Sequence, residues 1–374
     1  MKKFCNQSEK IFRFIKYNIF KYDIFIYILN MKKVITSIIG TGGHAYTWGN
    51  ELKKNSHYFI KNVLSRSEER GKKFAAYLNC GFAESIQNIY NDKEIDLVVI
   101  CSSPERNLLA IELAKNKKNL ILEKPLSLNL KDAELIYKAC KENGIICGAG
   151  LNRNYDTFFE KLYKCTKEMG NFISGEFKAY FKTTDIEKNI KNNGGIFLSK
   201  LVHNFDQCNK IFGKPKELVA TELITKNNNI ITGSHIMIRY ENNKVVSFNI
   251  NLNNTNHFGE ILILYCENGI ITINFNLLEI TCISNPLNYK YSRFILGTIK
   301  SNLLKLRIPT FNKKKDILIN NFWPGGKQDI LENFLRAMQN MNDKGLVNIN
   351  NNYISTKMAL ACEESINKKL WIKI

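Results

Sequence analysis

The sequence predicts an α/β protein in which an N-terminal, doubly wound parallel sheet precedes a C-terminal α+β domain with an open, mainly antiparallel sheet. Two observations predict this class. Short apolar runs alternate with helical stretches as far as Gly150, which is typical of a parallel sheet covered by helices. From Glu217 onward, short strands are separated by asparagine-rich turns such as Glu241-Asn242-Asn243, which indicates an antiparallel meander.

The length of the chain predicts two domains. It has 374 residues, and a single hydrophobic core usually stops growing at about 250 to 300 residues. We place a dinucleotide-binding domain at residues 31–150 and a substrate and oligomerisation domain at residues 151–374. Residues 1–30 are expected to lie outside the fold as a leader or over-extended start, because Met31 almost directly precedes the first strand. A membrane-surface anchor is the alternative, since the apolar runs there are too short to cross a bilayer.

The amino-acid composition limits the functional classes to which this protein can belong. The net charge is +20, but the lysines are interleaved with asparagine and isoleucine throughout, and no nucleic-acid-binding motif accompanies them. We therefore expect no nucleic-acid partner. The ten cysteines are scattered singly, without a Cys-x-x-Cys pair or a metal-spaced cluster. This pattern predicts reduced thiols, a cytoplasmic location, and neither disulfides nor a bound metal.

A glycine-rich motif follows the first predicted strand, Val34–Ile39. Its sequence, Gly40-Thr41-Gly42-Gly43-His44-Ala45, is the G-x-G-x-x-A form of the dinucleotide fingerprint. Gly40 would make the tight turn, Gly42 would let the backbone approach a pyrophosphate, and Ala45 would let the helix pack closely on the strand. A plain turn is the alternative, but the strand-to-helix junction favours a nucleotide site at these six residues.

The second and fourth strands end in polar turns that we assign to the cofactor. The second strand ends at Ser65-Arg66-Ser67, where an NAD-preferring enzyme would usually carry an acid for the ribose 2′-hydroxyl. An arginine flanked by hydroxyls suits a 2′-phosphate, which favours NADP over NAD. Ser67 can also cap the following helix. The fourth strand ends at Ser102-Ser103-Pro104, and we assign Ser102 and Pro104 to cofactor binding.

The apolar run Leu120-Ile121-Leu122 stops abruptly at Glu123-Lys124-Pro125. Open α/β sheets bind ligands at the carboxyl ends of such buried strands, so we assign Glu123 and Lys124 to the site. The Lys-Pro bond can be cis at modest cost, and a cis bond would turn the lysine toward a cleft. The alternative is an ordinary strand end with a solvated lysine.

Three motifs together resemble the glucose-fructose oxidoreductase, inositol dehydrogenase and rhizopine-catabolism family, Gfo/Idh/MocA. They are the motif at 40–45, Glu123-Lys124-Pro125, and Gly150-Leu151-Asn152-Arg153-Asn154-Tyr155, and the resemblance covers most of residues 31–370. It implies an N-terminal Rossmann domain, a second domain whose open sheet faces the cofactor, and a homo-oligomer, dimer or tetramer. It also implies a nicotinamide-dependent oxidoreductase acting on a sugar, cyclitol or nucleotide-sugar.

The resemblance further implies a lysine that contacts nicotinamide and substrate, and a histidine acid/base. Lys124 occupies the lysine position, and His203, within the family-like segment 194–206, occupies that of the histidine. Many family members have Asp four residues before this His and Gly two before it. Here those residues are Ser199 and Leu201.

If the resemblance to the family is set aside, the spacing still predicts that Ser199, His203 and Asp206 share one face of a helix whose other face is apolar. A lone histidine in such a place is often a satisfied core residue. We assign Lys124 and His203 to catalysis, and the predicted substrate contacts are Asn152, Arg153, Ser199 and Asp206.

Residues 285–316 form a basic, amphipathic insertion. It could contact an anionic membrane surface or a substrate tail, but a loop and helix covering a sheet edge is the favoured interpretation. No transmembrane segment is predicted.

The predicted function is NAD(P)-dependent oxidoreduction at a CH-OH group of a sugar-like substrate. The same fold could instead serve imine reduction or redox-assisted glycoside cleavage. Because of Ser199 and Leu201, a catalytically inactive nucleotide-binding regulatory protein is a further alternative.

Overall fold

The computed structural model describes the chain in eight stretches: residues 33–103, 107–180, 194–224, 231–252, 259–284, 317–320, 325–340 and 342–374. The leader at 1–30, Pro104 and the insertion at 285–316 lie outside these residues. The chain forms two compact units that divide between Val99 and Ile100. The domain boundary near Gly150 therefore stays a prediction.

The N-terminal half alternates strands and helices as predicted. Its elements are β1 (Val34–Ile39), α1 (Gly43–Lys54), β2 (Tyr58–Leu64), α2 (Glu68–Leu78), β3 (Gly81–Ala83), α3 (Ile86–Tyr90), β4 (Leu97–Ile100), α4 (Leu109–Lys115), β5 (Asn119–Leu122), α5 (Leu130–Glu142) and β6 (Cys147–Ala149). All four residues of β4 are buried, because helices cover both faces of such a sheet. The six strands have the order β3-β2-β1-β4-β5-β6. The predicted doubly wound parallel sheet is confirmed.

The C-terminal elements begin with a 3₁₀-helix (Asn152–Tyr155). There follow α6 (Phe158–Met169), β7 (Phe172–Tyr180), a π-helical turn (Phe197–Leu201), α7 (Val202–Phe212), β8 (Pro215–Ile224), β9 (Ile231–Tyr240), β10 (Val245–Asn251), β11 (Gly259–Cys266), β12 (Gly269–Asn274), β13 (Glu279–Ser284), β14 (Ile317–Asn320), α8 (Lys327–Asn340), α9 (Ile349–Lys368) and β15 (Ile372–Lys373). The strands form one sheet in the order β14-β13-β12-β11-β7-β10-β9-β8-β15.

This second sheet is mainly antiparallel and open on one face, as expected, but the expected simple meander is wrong. Strand β7 lies between β10 and β11 and pairs with β10 in parallel. Its polar residues Glu176 and Lys178 alternate with buried Phe177 and Ala179, so it has one core face and one outer face. Its place in the middle of the sheet is decided by pairing with strands more than 60 residues away.

The helix that carries His203, α7, packs on the inner face of the second sheet. Phe205 of α7 meets Phe248 of β10 edge-on at 5.3 Å between ring centroids, and Phe248 stacks on Phe177 of β7 at 5.2 Å. Aromatic contacts of this kind add to the apolar burial that fixes the helix on the sheet. Within the residues that the structure describes, no helix is long and apolar enough to cross a membrane.

Candidate active site

The predicted fingerprint forms the turn between β1 and α1 in the first unit. Gly40 has φ 114°, a conformation that favours glycine, and its N–H donates to the Leu64 carbonyl at 2.9 Å. A Cβ built on Gly42 or Gly43 would meet no atom within 4 Å, so open space lies over the start of α1. The first turn of α1 contains no acidic residue and has no side-chain cap. These features fit an anionic pyrophosphate at the helix N-terminus.

The other predicted cofactor residues of the first unit lie beside this turn. Thr41 Oγ1 and Ser65 Oγ are 3.4 Å apart, which joins the fingerprint to the end of β2. Arg66 is exposed next to Ser65. Ser67 caps α2 by accepting from the Arg70 N–H at 3.4 Å, so the capping interpretation of this serine is confirmed. Ala45 is fully buried, as its packing role requires, whereas His44 is exposed.

In the second unit, the backbone around Lys124 is fixed by buried hydrogen bonds. The Lys124-Pro125 peptide bond is cis. The Asn107 side-chain amide donates to the Leu126 carbonyl at 2.8 Å and to the Pro125 carbonyl at 3.3 Å. The Leu126 N–H donates to Thr356 Oγ1 at 2.9 Å. Because both sides of this turn are held, the lysine side chain starts from a fixed position.

The Lys124 ammonium is largely buried and donates to the backbone carbonyl of Ser199 at 3.1 Å. Burial lowers the pKa of Lys124 to about 8, because removal from water penalises the charged form. Nearby Glu123 opposes this shift, while the positive charges of Lys200, Arg153 and Lys327 add to it. A lysine of this kind can change its proton occupancy near neutral pH.

Glu123 is held by a partner that the sequence did not reveal. Glu123 is 7% exposed, and its Oε1 accepts from Lys327 Nζ at 3.0 Å. Gly150 leaves room for the same carboxylate, since a Cβ there would lie 2.9 Å from Glu123 Oε2. Glu123, which we predicted as a cofactor contact, is thus held in place by an ion pair and by close packing against the backbone at Gly150. No local pattern around Lys327 signals a partner 204 residues earlier.

Ser102 follows β4, as predicted, and its Oγ is buried without a hydrogen-bond partner among the described residues. A buried hydroxyl in this state has unused bonding capacity. Pro104, the other predicted contact in this turn, lies outside the described residues.

The predicted substrate residues after β6 are tied to two other segments. Asn152 donates from Nδ2 to the Gly325 carbonyl at 2.6 Å, and Arg153 forms an ion pair with Glu260 of β11. Asp156 accepts from the Gly325 N–H at 2.7 Å and from Gln207 Nε2 at 2.9 Å. Burial raises the pKa of Asp156 to about 7. Glu260 and Asp156 were not found from the sequence, because their partners are distant in the chain.

The segment with Ser199, His203 and Asp206 departs from the predicted amphipathic helix. Ser199 lies in the π-helical turn, and His203 is half-buried in the first turn of α7. Asp206 is only 1% exposed. Its oxygens accept from the side-chain amides of Asn154 at 2.7 Å and Asn351 at 3.0 Å. Burial raises the pKa of Asp206 to about 6.

With both oxygens bonded to asparagine amides, Asp206 joins three segments of the fold. Its contact with the substrate stays a prediction. Ser199 meets Lys124 through its carbonyl, whereas its Oγ is buried without a hydrogen-bond partner in the described part of the chain. Of the predicted catalytic and substrate residues, the structure joins Lys124 directly to Ser199.

Comparison with known proteins matches this architecture to one family. The family described as "Oxidoreductase family, NAD-binding Rossmann fold" matches residues 35–151, and the GFO/IDH/MocA C-terminal domain matches residues 171–272. The chain belongs to the Gfo/Idh/MocA family of oxidoreductases. Its N-terminal sheet is accordingly an NAD(P)-binding Rossmann fold.

Two relatives with named activities indicate the range of reactions in the family. The myo-inositol 2-dehydrogenase of Thermotoga maritima is 33% identical over 189 residues, covering 50% of this chain and 57% of the relative. The 2,7-anhydro-N-acetylneuraminate hydratase of Escherichia coli is 29% identical over 193 residues, covering 48% of this chain and 51% of the relative. The chain thus spans little more than half the length of these curated relatives.

Solved structures share the fold over nearly the whole chain. Levoglucosan dehydrogenase, solved in complex with NADH and L-sorbose, superposes with a TM-score of 0.74 at 16% identity, covering 92% of this chain and 99% of that one. At this identity the likeness shows the fold alone.

Proposed function

We propose that this protein is an NAD(P)-dependent oxidoreductase that transfers a hydride between a nicotinamide and a hydroxyl or keto carbon of a sugar, cyclitol or nucleotide-sugar. The observation that carries the proposal is Lys124, a buried lysine with a lowered pKa at the carboxyl end of β5 in a chain of this family. Parallel α/β sheets bind ligands at that end of their strands. The names of the dehydrogenase relatives agree with this reaction class.

Lys124 and His203 divide the proton chemistry. A bound nicotinamide supplies the hydride acceptor for alcohol oxidation. A hydroxyl carbon releases a hydride only as its oxygen loses a proton, so the site needs a base and a cation. His203 removes the proton, and the Lys124 ammonium orients the hydroxyl and stabilises the negative charge that develops on its oxygen. The opposite division of roles is tested by the pH dependence below.

The cofactor is held by residues with separate tasks. Gly40 to Ala45 bind the pyrophosphate, and Ser65 and Arg66 bind the adenosine ribose, where the arginine favours the 2′-phosphate of NADP over NAD. Ser102 and the Glu123-Lys124 segment bind the nicotinamide half. The open space above Gly42 and the exposed guanidinium of Arg66 support these assignments.

We extend the proposal to assembly and location. The open face of the second sheet carries exposed apolar side chains, among them Met237, Tyr265 and Ile270. Such a face supports self-association as a homo-oligomer, a dimer or a tetramer. A cytoplasmic location is in keeping with the nine cysteines that the structure describes, all of which are free thiols.

Redox-assisted cleavage of an anhydro-sugar or glycoside is a second candidate. It is favoured by the similarity to 2,7-anhydro-N-acetylneuraminate hydratase. The same hydride transfer would form a transient ketone, and elimination would follow before the hydride returns.

The proposal is tested by mixing the purified protein with NADP or NAD and a panel of hexoses, inositols, anhydro-sugars and nucleotide-sugars. Oxidation would appear as the absorbance of reduced nicotinamide, and product analysis by mass spectrometry would identify cleavage without net cofactor reduction. A protein that binds cofactor but converts no member of the panel in either direction would contradict the proposal and favour a regulatory protein.

A further inference from the structure

A cavity of about 640 Å³ lies within the second unit, and neither Lys124, Ser199 nor His203 lines it. Its walls are the 3₁₀-helix after β6, the end of α7, the middle of α8, the turn before α9 and the first turns of α9. Sites for small molecules usually enclose about 300 to 1,000 Å³. The cavity is therefore large enough for one small organic ligand that does not occupy the catalytic residues.

The polar lining of this cavity consists largely of side-chain amides. Five asparagines and no carboxylate are found among the described residues that line it, namely Asn154, Asn209, Asn333, Asn350 and Asn351. An amide side chain offers both a donor and an acceptor. A hydroxyl group also donates and accepts, whereas a phosphate or carboxylate only accepts. The lining is thus matched to hydroxyl groups.

Three of the asparagines use one amide atom within the protein and leave the other for a ligand. Nδ2 of Asn154 donates to Asp206 at 2.7 Å, and Nδ2 of Asn333 donates to the Asp329 carbonyl at 2.7 Å. Asn350 accepts through Oδ1 from a tyrosine hydroxyl at 3.5 Å. Within the part of the chain that the structure describes, the remaining amide atom of each has no hydrogen-bond partner. Asn154 is 6% exposed, so its unused acceptor is directed at the cavity wall and not at bulk solvent.

The two lysines that line the cavity already have partners in the protein. Lys214 pairs with Glu241 at 2.7 Å. Lys210 donates to the Asn154 carbonyl and lies 4.0 Å from the centroid of the Phe159 ring, a cation–π contact. Because both ammonium groups are engaged, the cavity does not favour an anionic ligand over a neutral one.

Two of the lining asparagines also hold the helix that carries His203. Nδ2 of Asn154 and Nδ2 of Asn351 donate to the two carboxylate oxygens of Asp206, at 2.7 and 3.0 Å. Asp206 lies in α7, one helical turn after His203. A molecule bound in the cavity would therefore contact the same side chains that hold this helix.

We propose that the cavity is a second ligand site, which binds a neutral polyhydroxylated molecule such as a sugar or a cyclitol. The unused amide atoms of Asn154, Asn333 and Asn350 bond its hydroxyl groups. The apolar surfaces of Tyr155 and Ile354, which also line the cavity, cover its C–H groups. This site goes beyond the proposed function, because binding there requires neither cofactor nor hydride transfer.

Isothermal titration of the full-length protein with myo-inositol, D-glucose and D-glucitol tests the proposal, with D-gluconate and inorganic phosphate as charged probes. We expect at least one neutral polyol to bind. Asn333→Leu and Asn350→Leu should each weaken that binding by about three- to tenfold, which is the usual effect of losing one neutral hydrogen bond. Thermal melting of each variant shows that it is folded, and if one of them is not, the other decides the test. Asn340→Leu is the matched control, since Asn340 is exposed at the end of α8 and does not line the cavity.

Three results would overturn the proposal. The first is that none of the three polyols binds. The second is that a polyol binds equally well to the unmodified protein and to both lining variants, because it then occupies another place, such as the active site. The third is that gluconate or phosphate binds more tightly than every neutral polyol and does so through the lining asparagines. Polyol binding that depends on Asn333 and Asn350 without any hydride transfer would support this site and contradict only the proposed oxidoreduction.

Discussion

The side chain of Lys124 is anchored to the main chain of Ser199, whose carbonyl oxygen accepts from the lysine at 3.1 Å. The end of β5 is thereby joined to the π-helical turn that immediately precedes the helix of His203. Because the acceptor is a neutral carbonyl, it does not compensate the ammonium charge as a carboxylate would. This leaves burial and neighbouring cations to lower the pKa of Lys124 to about 8.

The first prediction concerns pH. If the charged form of Lys124 stabilises the developing alkoxide, kcat/KM for alcohol oxidation falls as the pH rises through about 8, because the lysine then loses its proton. The pH profile of kcat/KM measures this directly. Lys327→Gln removes a neighbouring cation and frees Glu123, so it should move the falling limb to higher pH. A Lys124-dependent rise through pH 8 would instead make this lysine the base.

The second prediction separates cofactor binding from folding. Gly42 has φ −84° and ψ 177°, which alanine tolerates, and a Cβ there would touch nothing. Gly42→Ala should therefore keep the Tm of the protein while weakening cofactor binding by about tenfold or more, because the methyl group occupies the space of the pyrophosphate. The control is Gly49→Ala, whose Cβ would lie 2.7 Å from the Leu78 side chain. That variant should lose stability instead. Unchanged cofactor affinity in Gly42→Ala would contradict the fingerprint assignment.

The third prediction concerns cofactor preference. NADP should bind more tightly than NAD, and Arg66→Ala should remove most of the difference. A charge-assisted contact with phosphate contributes about 1.5 to 3 kcal/mol, so the ratio of the two dissociation constants should change by roughly one to two decades. Fluorescence titration with both reduced cofactors measures the ratio, and Arg70→Ala, on the exposed surface of α2, is the control. Equal affinities in the unmodified protein would refute the preference.

The fourth prediction concerns the segment that supports Asn152 and Asp156. A Cβ on Gly325 would lie 2.7 Å from the Tyr155 carbonyl carbon, and this backbone atom cannot yield easily. Gly325→Ala should lower the free energy of unfolding by about 2 kcal/mol, as overpacking usually does. At Gly326 the nearest atom would be Asp329 Oδ2 at 3.7 Å, so Gly326→Ala should change stability little. Chemical denaturation of both variants gives the comparison, and equal stabilities would show that the packing at Gly325 can relax.

Patterns within short stretches of the sequence were enough to predict the first sheet. The fingerprint turn, the buried strands and the position of Lys124 at a strand end all depend on residues close in sequence, and the structure places them as expected. The spacing of apolar residues and the residue types preferred in turns determine such features within short stretches of sequence. The cis bond at Lys124-Pro125 also agrees with the expectation that proline permits it.

Contacts between residues far apart in the chain could not be predicted in this way. The place of β7 beside β10, the ion pair of Glu123 with Lys327 and that of Arg153 with Glu260 each join residues at least 70 positions apart. The hydrogen bonds of Asp206 could not be predicted either, because helical spacing describes one helix, while Asn154 and Asn351 come from other segments. The lowered pKa of Lys124 has the same origin, since it reflects burial and charges supplied by distant parts of the chain.

The central claim is that Lys124 carries the chemistry, and single-turnover hydride transfer in Lys124→Met tests it most directly. Methionine keeps the apolar stem and removes the ammonium. With saturating cofactor and an active substrate, the rate of nicotinamide reduction should fall by about 100-fold or more, as it does when a proton-transfer or electrostatic group is removed. Cofactor affinity should change little, because the pyrophosphate is bound by the fingerprint. If the two rates agree within about threefold, Lys124 is structural and the mechanism is wrong.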